Sequence, residues 1–303
     1  MSGIPVWFPA ASGRQKWRQH LFTWRFPATL SPTRLKYRTT PTMSRNTRLF
    51  MDRSFDQPHC EHTRKPFVIC TTPRTASTLL CELLYKNGVG VPCEYFSHSE
   101  HAVLYADLFG LGLDFKKTNA RDLSTYVAAL KQFRTTPNGY FGFKMHWLHF
   151  RWFCKYLDPA IEFPSLNYIH LTREDELEQA ISLCKAIQTK QWNSNQSIQF
   201  RPVYDADQIH WFLQSIKRWN KRWREYFSTL DRPVHHLSFE QFTSNPEQSL
   251  RGCLKFLECP VDGVFSDLGS VRYQPVRSTI NEEWRQRYRH DVASLQGKSK
   301  VPD

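Results

Sequence analysis

Short apolar runs rich in β-branched and aromatic residues alternate along most of the chain with longer stretches in which apolar residues recur at helical spacing. The short runs predict buried strands at Phe67–Thr71, Tyr140–Lys144, Asn167–Leu171 and Val234–Ser238. The longer stretches predict helices at Ser77–Asn87, Arg121–Phe133, Glu174–Gln191, Asp207–Leu230 and Pro246–Leu257, several of them preceded by Asp, Asn or Ser suited to N-capping. Such alternation is the pattern of an α/β domain with a mostly parallel central sheet flanked by helices. The longest predicted helix places Phe212, Ile216, Trp219, Trp223, Phe227 and Leu230 on one side, with Lys217, Arg218, Lys221, Arg222 and Arg224 over the rest. That apolar spacing is amphipathic, so the stripe reads as core and the basic face as solvated surface rather than as a nucleic-acid interface.

Composition changes the picture mainly before residue 51. The chain has 303 residues and a net charge of +13, and residues 1–51 hold nine Lys/Arg with no acid, which leaves +4 for everything beyond. The basic excess is a property of this leader. Its best apolar stretch, Leu21–Phe26, contains Arg25 and stops at Pro27, too short for a secretory core or a membrane span. It reads as a disordered leader or an organelle transit peptide, with Met43 and Met51 as alternative starts, so the predicted division is a basic segment 1–62 and a catalytic-sized domain 63–303. Eight cysteines without a C-x-x-C pair or secretory signal suggest reduced thiols and a cytoplasmic setting. The run His59-Cys60-Glu61-His62 has no second pair at zinc-site spacing, so no metal is expected.

Two strand-to-helix turns carry the candidate chemistry. In Phe67–Leu80, a buried strand leads into Thr72-Pro-Arg-Thr-Ala-Ser-Thr78, a turn of small hydroxyl residues around Arg74, so backbone N–H groups, a helix N-terminus, a guanidinium and the hydroxyls of Thr75, Ser77 and Thr78 suit an anion. The turn lacks the G-x-x-x-x-G-K-[ST] of a nucleoside-triphosphate loop. By itself it fits either an anion site or a capped turn with no ligand. The second turn, Asn167–Ser182, ends its strand at Arg173 and presents Ser182 on the following helix; two such sites at neighbouring strand ends fit one ligand with phosphates at both ends.

With these turns, the runs Pro92–Phe96, Thr136–Lys144, His170–Arg173, Ala186–Trp192 and Glu283–Arg289 form an ordered series. In that series, over roughly residues 66–292, the chain resembles the sulfotransferases that use 3′-phosphoadenosine-5′-phosphosulfate (PAPS), most closely the trehalose 2-sulfotransferase-like family. The resemblance implies a P-loop-like three-layer α/β fold and transfer of a sulfuryl group from PAPS, without a metal, to a hydroxyl of a carbohydrate or glycolipid. It further implies that Arg74, Thr75, Ala76, Ser77 and Thr78 hold the 5′-phosphosulfate, Arg173 and Ser182 the 3′-phosphate, and Arg277 a loop over the nucleotide. Glu94 matches the family's general base, Arg74 and Lys144 would assist catalysis, and Pro73, Val91, Cys93, Tyr95 and Phe96 would line the acceptor site. His98, His101 and His146 are weaker candidates for the base. The family carries an acidic residue where this chain has Val91, which removes an acceptor for sugar hydroxyls. The aromatics Tyr95, Phe96, Tyr105 and Phe109 would stack on a sugar or belong to the core. A homodimer is implied and nucleic acid is not. A nucleotide-dependent phosphotransferase and a non-catalytic nucleic-acid-binding module are the competing functions.

Overall fold

The computed structural model describes residues 50–58, 63–97, 101–115, 117–193, 196–260 and 279–298. Residues 1–49 and the run His59–His62 lie outside them. All four predicted strands form, as β1 (Lys65–Thr71), β2 (Tyr140–His146), β3 (Asn167–Thr172) and β4 (Val234–Ser238). They make a wholly parallel sheet in the order β2-β1-β3-β4. The helices in chain order are α1 (Ser77–Lys86), α2 (His101–Leu108), α3 (Ala120–Arg134), α4 (Trp147–Tyr156), α5 (Pro159–Glu162), α6 (Glu176–Thr189), α7 (Ala206–Phe227), α8 (Phe239–Ser244), α9 (Pro246–Phe256) and α10 (Thr279–Lys298).

The five predicted helices appear as α1, α3, α6, α7 and α9; the other five were not anticipated. Side-chain caps start several of them. Asn119, Asp175, Asp205 and Asn245 accept from the first-turn amides of α3, α6, α7 and α9. Strand β1 is central and buried on both faces, as expected of a parallel strand covered by helices. On one face, Phe67 and Ile69 pack with Leu79, Leu80, Leu83 and Leu84 of α1 and with Leu250 and Leu254 of α9. On α7, Phe212, Ile216, Trp223 and Phe227 are buried as the apolar stripe predicts, and Trp223 Nε1 donates to Thr71 O at the end of β1 (3.1 Å).

The packed body begins earlier than residue 63. Phe50 is fully buried against the rings of Phe55 and Tyr85, and its carbonyl accepts from Tyr105 Oη (2.8 Å). Gln57 N donates to Phe133 O (2.9 Å), and Arg134 reaches Asp56 Oδ1 (3.0 Å) and Asp52 O (3.1 Å). Residues 50–58, placed in the leader by charge and composition, therefore pack as part of the domain. Among the described residues, no helix is long and apolar enough to cross a membrane.

The β3–β4 pair carries an acid-sensitive element. His170 Nδ1 lies 3.4 Å from His236 Nδ1, while its Nε2 is buried with no hydrogen-bond partner among the described residues. Burial, then His236 and Arg224, push the imidazole down to about 3. The unfolded chain takes up a proton near pH 6.5 that the folded chain refuses, so this residue's contribution is present above that pH and is lost as pH falls toward 3. The slope is at most about 1.4 kcal/mol per pH unit. Urea midpoints measured from pH 8 to pH 4.5 are expected to fall more steeply for the native chain than for His170→Leu; parallel curves would contradict this account.

Candidate functional site

Parallel register brings the C-terminal ends of β1, β2, β3 and β4 to one edge, with Thr71 beside both His146 and Leu171, and Thr172 beside Ser238. The order 2-1-3-4 reverses direction beside β1, and the crevice between β1 and β3 at that edge is where open α/β sheets bind ligands. The arginine turns following β1 and β3 meet there.

The first turn is held from within. Arg74 and Ala76 adopt left-handed backbone conformations, with φ of 71° and 60°, which cost a non-glycine residue about 1 kcal/mol or more. Gln179 Nε2 donates to Pro73 O (2.6 Å) and Thr72 Oγ1 (2.8 Å), and Thr75 Oγ1 sits 2.7 Å from Thr71 Oγ1 and 3.2 Å from Thr72 O. The Thr75 hydroxyl thus braces the turn from inside rather than facing a ligand. Ala76, as the residue preceding α1, offers no side-chain cap, which leaves the helix start with its first-turn amides uncapped.

Arg74 reaches across to the second turn. Its Nε donates to Ser182 Oγ (3.0 Å), its Nη1 to Trp192 O, and its own carbonyl accepts from Arg173 Nη1 (3.4 Å). Burial, and then Arg173, bring the Arg74 guanidinium down to about 10. Two close guanidiniums partly removed from water are stabilised by an anion between them. Arg173 lies over the Phe239 ring (4.3 Å) and 3.7 Å from Glu178, and its Nε is buried with no hydrogen-bond partner among the described residues.

Lys185 extends this cationic wall and was missed from sequence. It follows Ser182 by one turn on α6, a spacing that places two side chains on one face and could have identified it. Lys185 Nζ donates to Asn281 Oδ1 (2.7 Å), and Asn281 Nδ2 donates to Glu178 Oε1 (2.7 Å). Burial and then Arg74 lower the Lys185 ammonium. Arg285 of α10 pairs with Asp175 (2.7 Å) and Glu178 (3.0 Å), so the C-terminal helix is tied to the start of α6.

The second half of the site lies along β2. Segment 90–94 runs against that strand: a Cβ on Gly90 would stand 2.8 Å from Gly142 N, and Lys144 N donates to Cys93 O (2.8 Å). This contact sets Glu94 over the end of β2. Lys144 Nζ and His146 Nε2 both meet Glu94 Oε1, at 2.7 and 3.2 Å. Lys144 Nζ also donates to Thr78 Oγ1 (3.1 Å), joining the carboxylate to the first turn. Burial alone would raise the Glu94 carboxyl, but Lys144 and His146 outweigh it and hold it well below the usual carboxylate range. Burial likewise works against the Lys144 ammonium, and Glu94 keeps it above its ordinary value.

Of the residues predicted to form the site, Arg74, Thr78, Glu94, Lys144, Arg173 and Ser182 are linked by direct contacts. Ser77 is buried at the start of α1. Three residues expected to line the acceptor site, Val91, Tyr95 and Phe96, are each 0% exposed and packed into the core. Tyr95 donates to Val91 O and packs edge-on against Tyr105, while Phe96 packs between Tyr126, Phe143 and Phe153. Tyr105 and Phe109 are core as well. Pro73 and Cys93 are partly buried and spend their carbonyls on Gln179 and Lys144. His101 starts α2, and its charge reaches Glu94. His98 and Arg277 lie outside the described residues. Among the described residues there is no cluster of three or more His, Cys, Asp or Glu able to hold a metal ion.

The profile of a family described as Stf0 sulphotransferase matches residues 66–291. The trehalose 2-sulfotransferase of Mycobacterium tuberculosis (strain ATCC 35801 / TMC 107 / Erdman) is 25% identical over 198 residues, spanning 54% of this chain and 73% of that protein. Among solved structures, a sulfotransferase from Alicyclobacillus acidocaldarius aligns at a TM-score of 0.43 and 16% identity, covering 78% of this chain and 95% of the other. The sulfotransferase domain of the Synechococcus PCC 7002 olefin synthase aligns at 0.43 and 14% identity, covering 76% and 90%.

Proposed function

The chain belongs to the Stf0 sulphotransferase family, and from that premise we propose that it moves a sulfuryl group from PAPS to a carbohydrate hydroxyl with Glu94 as general base. The observation that carries this reading is the continuous path from Glu94 through Lys144 to Thr78 and the Arg74 turn. That path supports a reading in which a base and an anion-binding turn serve the two sides of one reaction centre. The carbohydrate acceptor is supported by the relative that acts on trehalose.

Sulfuryl transfer requires an acceptor oxygen to attack sulfur as the bond from sulfur to the donor phosphate oxygen breaks. The proton must leave the acceptor, and charge grows on the departing adenosine 3′,5′-bisphosphate. The α1 amides, Arg74 and the Thr78 hydroxyl bind and neutralise the phosphosulfate, while Arg173, Ser182 and Lys185 serve the 3′-phosphate. Lys144 stands between the two sides and stabilises the charge that passes from one to the other. The left-handed Arg74 and Ala76 keep this arrangement preformed, so little reorganisation accompanies reaction.

Transfer of radiolabelled sulfate from PAPS to trehalose, other sugars, a glycolipid and a phenol tests the reading directly. Sugar or glycolipid labelling is expected, with Arg74→Ala weakening adenosine 3′,5′-bisphosphate binding roughly 10- to 100-fold by calorimetry. Dependence on ATP and magnesium with indifference to PAPS would replace it with phosphotransfer. Steeply salt-dependent nucleic-acid binding without PAPS affinity would replace it with a binding module.

A further inference from the structure

The histidine beside the candidate base has a definite orientation. His146 directs Nε2 at Glu94 Oε1 (3.2 Å), whereas its Nδ1 is buried with no hydrogen-bond partner among the described residues. A neutral imidazole carries one N–H, and a carboxylate oxygen only accepts. The proton therefore belongs on Nε2, and the lone pair of Nδ1 is turned into the protein. In this orientation His146 has no free acceptor with which to remove a proton from a substrate. Lys144 Nζ meets the same Oε1 at 2.7 Å, so both of the donors that fix Glu94 fall on one oxygen.

We propose that His146 is a positioning residue: its Nε2–H fixes Glu94 Oε1 and turns Oε2 to the acceptor hydroxyl. This deepens the sulfotransferase reading and rests on it. As the acceptor oxygen bonds to sulfur, its O–H breaks and the proton passes to Glu94 Oε2. The sulfur–oxygen bond to the donor phosphate breaks at the same time, and its electron pair leaves with adenosine 3′,5′-bisphosphate. Other titratable groups reach the pair from every side and set the background: Lys144 on β2, Cys81 on α1, Cys93 beside Glu94, and His101 on α2. The His149 ring of α4 lies 5.2 Å from that of His146.

The test is carboxyl NMR of the full chain labelled with 13C-glutamate, with Glu94 assigned by its loss in Glu94→Gln, alongside pH profiles of PAPS-dependent labelling of trehalose. In His146→Phe the Glu94 midpoint is expected to rise by about one pH unit, and the acid limb of kcat to move with it. His146→Gln, whose amide still donates, is expected to return the midpoint most of the way and restore turnover to within about tenfold. Where phenylalanine is not accommodated, His146→Ala with and without added imidazole gives the same comparison. An unmoved Glu94 midpoint would overturn the proposal, as would a His146→Gln enzyme as inactive as Glu94→Gln, which would make His146 the base. A chain that shows the midpoint shift yet labels no acceptor keeps the contact and overturns the reading of function beneath it.

Discussion

Glu94→Gln is expected to slow sulfuryl transfer about 10²- to 10⁴-fold while leaving affinity for adenosine 3′,5′-bisphosphate within about twofold. The amide can still accept from His146 Nε2, but it cannot take a proton from an attacking hydroxyl. Donor affinity is expected to be spared because the proposed phosphate-binding groups Arg74, Arg173 and Ser182 follow β1 and β3, while Glu94 stands over the end of β2. The substitution leaves Lys144 buried without its carboxylate, so a lower melting temperature is also expected. Single-turnover rates and calorimetric titration separate the two effects, and undiminished turnover would remove Glu94 from the mechanism. Because Glu94 is held well below the usual carboxylate range, it remains a base in mild acid. Activity lost between pH 6 and 5 is expected to track the urea midpoint, through groups such as His170, and the limb set by Glu94 to lie at lower pH.

The largest expected effect on stability lies away from the sheet edge. Arg134 is 0% exposed, pairs with Asp56 (3.0 Å), donates to Asp52 O (3.1 Å) and lies 5.6 Å from the ring centroids of both Tyr105 and Phe109. Arg134→Met leaves Asp56 with Arg53 as its remaining cation (3.1 Å) and removes two of the ties between α3 and residues 50–58, which is expected to cost about 1.5–3 kcal/mol and to lower the melting temperature by roughly 5 °C. Replacing both partners, as Arg134→Met with Asp56→Leu, is expected to recover part of that loss, because two apolar groups of similar volume leave neither partner of the pair unmatched, while the bond to Asp52 O stays lost. A single variant as stable as the native chain would show that the pair contributes nothing. The consequence for catalysis runs through Tyr105, which packs edge-on against Tyr95 next to Glu94.

The aromatics following Glu94 mark the limit of pattern reading. Tyr95 and Phe96 look the same in sequence whether they meet a sugar or a core. Their burial follows from Tyr126 on α3, Phe143 on β2 and Phe153 on α4, all distant in sequence. The unanticipated α4 is the run Trp147–Tyr156 immediately after β2, where Trp147, Phe150 and Phe153 lie on one face and are buried among aromatics that include Trp223 and Phe163.

Local patterning alone determined the four strands, their parallel α/β setting and both arginine turns, because strand burial, helix capping and turn chemistry depend on near neighbours; the candidacy of Glu94 came from the resemblance to the family. Pairing across the sheet was needed for the rest. The parallel order brought Arg74 against Ser182 and Arg173, and the close approach at Gly90 carried Glu94 to Lys144 and His146. It also turned the Thr75 hydroxyl inward and brought Lys185 beside the arginines. Such contacts join residues far apart along the chain, and no local period encodes them. The two arginine turns were therefore legible before folding, whereas the environment that sets the charge and orientation of Glu94 exists only in the folded molecule.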